Sequence, residues 1–307
     1  MLRIANYYES RLGRNDGNPL YITHALKQLE SKGILLADHL IPNGDTKYFG
    51  KYDLGMWMDW GEDGLTGLIP YQIQFPKEPF IYWASDTHIH QASYQYRMET
   101  AKKASLVFVA QKDAVERFKA DGVTAPVYWM PHAFEPTAYN DPESKDGNPF
   151  DVQKKYDLCF VGHVSSQNRI DALDRVFREF PNFYYGQKLF NDAALKYAQS
   201  KIVFNIAMKN DVNMRCFETL GSRSFLLTDR IDTIEEIFED GKHLVLYDSL
   251  NDMVEKARYY LSHDDERRKI AEAGYRHVIQ NHTFEKRLQF MLEKAREHNL
   301  IGEPVHA

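Results

Sequence analysis

Cysteine is scarce in this 307-residue chain: only Cys159 and Cys216 are present, neither with a CxxC partner. Both are expected to be reduced, buried thiols of a cytosolic protein. No apolar run approaches the roughly 18 residues that a membrane-spanning helix needs, so no membrane span is expected. Met1-Leu2-Arg3-Ile4-Ala5 reads directly as the start of a strand, not as a signal peptide, which predicts a cytoplasmic location. Positive charge is not in excess: the net charge of −6 argues against broad attachment to nucleic acid or anionic membrane. Glycines of the first loop, Gly13 and Gly17, do not form GxGxxG, so the dinucleotide fingerprint is absent. No internal repeat supports a solenoid.

What is present is the composition of a soluble globular protein, 43% hydrophobic and 27% charged, with a length that suits two domains. Aromatics are abundant, with 19 Tyr, 18 Phe and 4 Trp. Tyrosine suits ligand grooves, although most of these rings are expected in cores. Periodicity predicts strands over 2–8, 34–38, 53–58, 80–85, 106–109 and 127–130, with helices over 19–29, 92–103 and 113–120. A polar stretch rich in Asn, Asp, Pro, Gly and Ser follows, 137–151, and reads as a linker. The pattern then restarts with strands over 156–162, 183–186, 201–206, 224–228 and 243–247. Helices are expected over 169–180, 192–200 and 233–239, over a short segment ending at Gly221, and from Leu250, Asp265 and Phe284. Alternation throughout implies two successive α/β domains, 1–136 and 152–282, each a parallel sheet covered on both faces.

The most informative stretch is Asn210 to Gly221, between two apolar strands. Arg215 and Glu218 stand three apart and share one face of the short helix, placing a cation and a carboxylate at the mouth of a sheet. Ligands of open α/β sheets bind in the crevice beyond the carboxyl ends of the strands. An intrahelical ion pair between these two residues is the structural alternative.

Arg215-Cys216-Phe217-Glu218, then Gly221, Phe225-Leu226-Leu227-Thr228-Asp229 and Glu236-Ile237-Phe238-Glu239-Asp240-Gly241 resemble the donor half of a GT-B glycosyltransferase, of the CgeB-like (spore-maturation) branch. Ala271-Glu272-Ala273-Gly274-Tyr275, His282-Thr283-Phe284 and Arg287 fit the same series, and Tyr82-Trp83 with Asp86 and His88, and Pro131-His132, match more weakly. The resemblance implies two Rossmann-like domains facing across a cleft, with a nucleotide-sugar held by the second. It also implies a final helix, within 283–307, that returns to the first domain. Carried over residue by residue, Glu218 matches the carboxylate that holds the ribose hydroxyls, Gly162 the glycine beneath the diphosphate, and Arg215 a diphosphate contact. Many retaining members carry a second Glu eight positions before the first; here that position is Asn210, which leaves the stereochemistry open.

Sugar transfer needs charge stabilised on the leaving diphosphate and a base on the acceptor hydroxyl. Arginine suits the first task through its planar fork. Arg169 is a further candidate phosphate contact, or a solvated helix charge, and His163 a donor to phosphate or sugar, or a plain loop residue. Asp86 and His88 follow a buried strand of the first domain and are the candidate bases; a helix N-cap by Asp86 is the alternative. Arg11, Gly13 and Arg14, in the loop from Arg11 to Asn18, are the candidate acceptor contacts, with a donor-sugar contact the other possibility and glycines that simply turn the chain the structural alternative. A metal site on Asp86, His88 and His90 is the weaker reading, and no DxD occurs, so neither metal nor cofactor is expected beyond the nucleotide-sugar co-substrate. The acceptor is left open among a polysaccharide, a protein, a small molecule and a modified DNA base, and the oligomeric state is left open too. Rival readings are a nucleotide-sugar epimerase of the same fold and a non-catalytic carbohydrate- or nucleotide-binding component of a surface assembly.

Overall fold

The computed structural model describes residues 1–7, 18–40, 46–58, 75–88, 91–139, 151–164, 166–188 and 190–303. The chain divides into two compact units: unit 1 comprises Met1–Pro131 and Phe284–Ala307, and unit 2 comprises His132–Thr283.

Unit 1 begins with β1 (Leu2–Tyr7), α1 (Asn18–Ser31), β2 (Leu35–Leu40), β3 (Leu54–Met58) and β4 (Phe80–Ala84). It continues through α2 (Gln91–Lys103), β5 (Leu106–Val109), α3 (Ala114–Ala120) and β6 (Val127–Trp129). The strands form one sheet in the order β2-β1-β3-β4-β5-β6, every pairing parallel. Every residue of β3, β4 and β5 is buried, as unbroken apolar runs such as Phe80-Ile81-Tyr82-Trp83-Ala84 require in a sheet covered on both faces.

Unit 2 begins with β7 (Tyr156–Val161), α4 (Gln167–Glu179), β8 (Phe183–Gly186), α5 (Phe190–Ala198) and β9 (Ser200–Phe204). Next come α6 (Met214–Gly221), β10 (Leu226–Asp229), β11 (Val245–Tyr247), α7 (Leu250–Ser262) and α8 (Asp264–Asn281). Its parallel sheet has the order β11-β10-β9-β7-β8. Leu158, Phe160, Ile202, Phe204 and Leu227 from the strands pack in one core with Val176 of α4 and Ala257 of α7.

The last helix, α9 (Phe284–Glu297), belongs to unit 1. Its Phe284 ring lies 5.1 Å from Tyr21 and 5.8 Å from Trp83, and its Arg287 donates from Nε to the Pro131 carbonyl at 2.8 Å.

Most elements fall within a few residues of the ranges predicted above. The helix expected over 192–200 stops at Ala198, and Ser200 already opens β9. The helix expected over 233–239 is a single 3₁₀ turn, Ile234–Glu236. Arg230 explains the difference, because it pairs with Glu235, Asp240 and Asp248, each at 2.8 Å, and draws the segment round before a helix can propagate. Of the stretch read as a linker, 140–150 lie outside the described residues, while Pro136–Ala138 form a 3₁₀ turn capped by the Glu135 side chain.

In each sheet the connection reverses direction once. The chain passes from β7 to β8 on one side and then to β9 on the other; β1, β2 and β3 do the same in unit 1. Such switch points open a crevice at the carboxyl ends of the strands, which positions the site described next.

Candidate functional site

At the switch point of unit 2 the chain leaves β7 through Gly162, whose φ of +151° is a conformation open to glycine. A Cβ there would stand 1.8 Å from Nη2 of Arg215. The Arg215 guanidinium lies over the Phe160 ring, 4.1 Å from its centroid. It donates from Nε to the Val161 carbonyl at 2.5 Å and from Nη1 to Oδ1 of Asn205 at 2.5 Å. The end of β7 is thereby tied to the end of β9. Arg169, in the first turn of α4, makes a parallel tie: Nε donates to the Ile206 carbonyl at 3.1 Å and Nη1 to the His163 carbonyl at 3.0 Å. Burial, followed by the Arg215 charge, lowers the Arg169 pKa to about 10, against the pull of Asp229 and Asp211.

Both arginines are thus buried clamps on the loop beyond β7. Arg169, 6% exposed, is no solvated helix charge. Nor does Arg215 spend its charge on an ion pair with Glu218 among the described residues, since its hydrogen bonds run to β7 and β9. The loop they hold leads into the N-terminus of α4, where Ser166 Oγ accepts from the Arg169 N–H at 3.4 Å. Helix N-termini favour anions through their unsatisfied N–H groups and dipole. His163 is exposed on this loop, and no hydrogen bond holds its ring among the described residues.

Asn205, one residue beyond β9, is the hub of the constellation. Its Oδ1 accepts from Arg215 and, at 3.4 Å, from Asn213, while its Nδ2 donates to Thr228 Oγ1 at 3.0 Å. Its carbonyl accepts from the Tyr247 hydroxyl at 2.9 Å. Sequence reasoning passed over Asn205, although an asparagine closing the apolar run Ile202-Val203-Phe204 is itself a signal, because a buried amide must be satisfied.

Glu218 points elsewhere. It is half-buried overall with its carboxyl enclosed, and Oε1 accepts from the Tyr139 hydroxyl at 2.5 Å. The Tyr197 hydroxyl also approaches this carboxyl. Burial raises the Glu218 pKa above the ordinary glutamate value, while Tyr139, the Arg215 charge and Tyr197 work to lower it. Tyr139 is held by its own rings, 5.6 Å from Phe134 and 6.2 Å from Phe190. Phe134 in turn lies against Gly221, where a Cβ would come within 2.3 Å of the phenylalanine ring. Neither tyrosine was singled out from the sequence, since partners 79 and 21 positions away leave no local pattern.

Asn210 turns toward the loop after β10: Nδ2 donates to Asp232 Oδ2 at 2.7 Å, and Oδ1 accepts from the Asp232 N–H at 3.0 Å.

In unit 1, Asp86 follows β4 with a φ of +51°, a left-handed conformation that Asp and Asn tolerate better than most residues. Its carbonyl accepts from Arg97 Nη1 at 3.3 Å. Thr87 donates from both its N–H and its hydroxyl to Gln111 Oε1, and Arg117 donates to the Thr87 hydroxyl at 3.0 Å. The turn is thereby held from α2, from the loop after β5 and from α3. Asp86 stands five residues before Gln91, the first residue of α2, so it is not that helix's N-cap. His88 is half-buried in the same turn. Arg11, Gly13, Arg14 and His90 lie outside the described residues.

Comparison with known proteins bears on the fold and on unit 2. Residues 155–293, just under half of the chain, match a family described as Glycosyl transferase-like. Sucrose-phosphate synthase from Thermosynechococcus elongatus is 12% identical with a TM-score of 0.63, over 97% of this chain and 99% of that one. The fold is GT-B. Anabaena HepE, solved in complex with UDP and glucose, is 12% identical with a TM-score of 0.63, over 96% of this chain and 100% of that one. A glycosyltransferase from Rickettsia africae is 11% identical with a TM-score of 0.61, over 97% and 98% of the two chains. No curated protein matches the sequence. The family match thus covers most of unit 2 and the structural likeness extends over the whole GT-B fold, and no helix among the described residues is long and apolar enough to cross a membrane.

Proposed function

We propose that the protein transfers a sugar from a nucleotide-diphosphate sugar to a hydroxyl acceptor. The observation that carries this reading is the enclosed Glu218 carboxyl, in the helix that follows the unit 2 switch point, accepting a hydrogen bond from the Tyr139 hydroxyl at 2.5 Å with the Tyr197 hydroxyl also beside it. The two vicinal hydroxyls of a ribose offer the same donors. In the reading we adopt, Glu218 holds the ribose. The Gly162 loop, the N-terminus of α4 and His163 receive the diphosphate. Arg215 and Arg169 fix that loop and place positive charge behind it, with Arg215 Nη2 directed at Gly162. Leaving-group charge is then met by prearranged N–H dipoles and buried cations without a metal ion.

In the transfer step the bond from the anomeric carbon to the diphosphate oxygen breaks, and the nucleoside diphosphate keeps the electron pair. A new bond forms from that carbon to the acceptor oxygen, whose proton passes to a base. Asp86 and His88 are the proposed bases, and Arg11, Gly13 and Arg14 the proposed acceptor contacts. The complex of HepE with UDP and glucose makes UDP-glucose the first donor to try. Membership of the CgeB-like branch, transfer of a hexosyl or pentosyl group, and a cytoplasmic setting complete the proposal.

A panel of nucleotide-sugars with and without candidate acceptors tests it. Nucleotide release that rises with acceptor supports transfer. A converted sugar without release indicates an epimerase instead, and binding with neither indicates a non-catalytic component.

A further inference from the structure

Unit 2 carries a second concavity that shares no lining residue with the crevice at β7 and β9. It lies between the Lys242-His243 turn before β11 and one face of α8, and measures about 400 Å³. Pockets for small molecules span roughly 300–1,000 Å³. Lys269, Arg276 and Gln280 come from α8 at spacings of seven and four, which places them on one helix face. Glu272 is the one acid of the lining, and Nε of Arg276 holds it at 2.8 Å. Lys242 is shared with Glu239 at 2.7 Å, whereas Lys269 is exposed and forms no ion pair among the described residues. Of the three cations of the lining, Arg276 and Lys242 are thus each paired with a carboxylate, and Lys269 adds a positive charge with no ion pair among the described residues, in a chain of net charge −6.

The imidazoles sharpen the chemistry. His243 and His277 stack with centroids 4.2 Å apart and rings 12° from parallel. Nδ1 of His243 accepts the Glu239 N–H at 3.1 Å, so its proton sits on Nε2. Nε2 of His277 lies 2.7 Å from the Ile237 carbonyl, which only accepts, so that nitrogen carries the proton. Burial, then His277 and Lys242, lower the His243 pKa to about 4, against Glu239. At neutral pH His243 therefore contributes an N–H and not a charge. The helix packs closely on the turn here, because a Cβ on Gly274 would stand 2.3 Å from the His243 carbonyl oxygen.

An ammonium, a guanidinium, an imidazole N–H and a carboxamide around one cavity form a donor set that matches the acceptor oxygens of a phosphoryl group. We propose that this groove is a binding site for the phosphoryl group of a small phosphorylated ligand, separate from the nucleotide-sugar crevice. Lys269 and Arg276 grip the oxygens, the His243 Nε2–H adds a directed hydrogen bond, and Ala273 with the imidazole faces receives the rest of the ligand.

The test is titration of the full chain with inorganic phosphate and, separately, with glucose 6-phosphate, followed by imidazole nitrogen–proton correlation spectra. We expect saturable movement of the His243 and His277 signals. Lys269→Ala with Arg276→Ala weakens binding by at least about tenfold, and Glu272→Gln tightens it. Nucleotide binding is unchanged in these variants. Tighter binding of glucose 6-phosphate assigns the site to an organic phosphate, and equal affinity assigns it to the free oxyanion. Shifts that stay linear in both titrations, or an affinity indifferent to Lys269 and Arg276, overturn the proposal.

Discussion

The Tyr139 hydroxyl donates to Oε1 of Glu218 across 2.5 Å, so the carboxylate proposed to hold a ribose is already occupied by a side chain of its own unit. Ribose hydroxyls and Tyr139 compete for the same lone pairs. Tyr139→Phe should therefore tighten nucleoside diphosphate binding by about two- to tenfold, the worth of one net hydrogen bond. Calorimetric titration checks this, and unchanged or weaker affinity contradicts the competition.

Glu218 should also oppose folding as it ionises. A carboxyl whose folded pKa lies above its unfolded value contributes full stability only below the unfolded value, and loses that contribution as pH rises through the folded one. For Glu218 the window opens at the ordinary value of 4.5 and extends upward. The melting temperature of Glu218→Gln relative to wild type should increase across this window and then level off. A difference independent of pH would show that the carboxyl titrates normally.

Gly162 and Arg215 form one unit. Gly162→Ala combines a φ of +151° with a 1.8 Å contact to Nη2 of Arg215. The backbone conformation alone costs about 1–3 kcal/mol for a residue bearing a Cβ. Arg215→Ala loses two hydrogen bonds from a charged donor, each worth about 1.5–3 kcal/mol. Because the second change removes the obstacle met by the first, the double variant should be less destabilised than the sum of the singles, as measured by denaturant unfolding.

Asp86→Asn separates backbone from chemistry, since asparagine tolerates the left-handed conformation. Its stability should stay within about 0.5 kcal/mol of wild type. If Asp86 is the base, turnover should fall by about 10²–10⁴-fold with donor affinity intact. Loss of turnover in His88→Ala alone would transfer the role to His88, and full activity in both variants would remove it from this turn.

Local pattern explains what the sequence revealed. Apolar runs such as Phe80–Ala84 and a glycine stop at Gly221 mark strands and a helix end through spacing alone, and alternation makes the sheets parallel. The placement of Glu218 in the helix leading from β9 was legible for the same reason. Its partners were not: Tyr139 comes from a stretch that reads as a linker, and Tyr197 from the buried face of α5. Arg169 and Arg215 were recognisable as cations near a crevice, yet their hydrogen bonds to the carbonyls of Val161, His163 and Ile206 depend on tertiary proximity. The 3₁₀ turn at Ile234–Glu236 shows the same limit, since Arg230 overrides a helical pattern from outside it.

Everything proposed for the donor rests on Glu218 holding a ribose. The most direct test is calorimetric titration of wild type and Glu218→Ala with the tightest-binding nucleoside diphosphate and with its 2′,3′-dideoxy analogue. Wild type should prefer the natural nucleotide by at least about tenfold, and Glu218→Ala should bind both with equal, weakened affinity. An undiminished preference in Glu218→Ala, with the fold intact, would contradict the account.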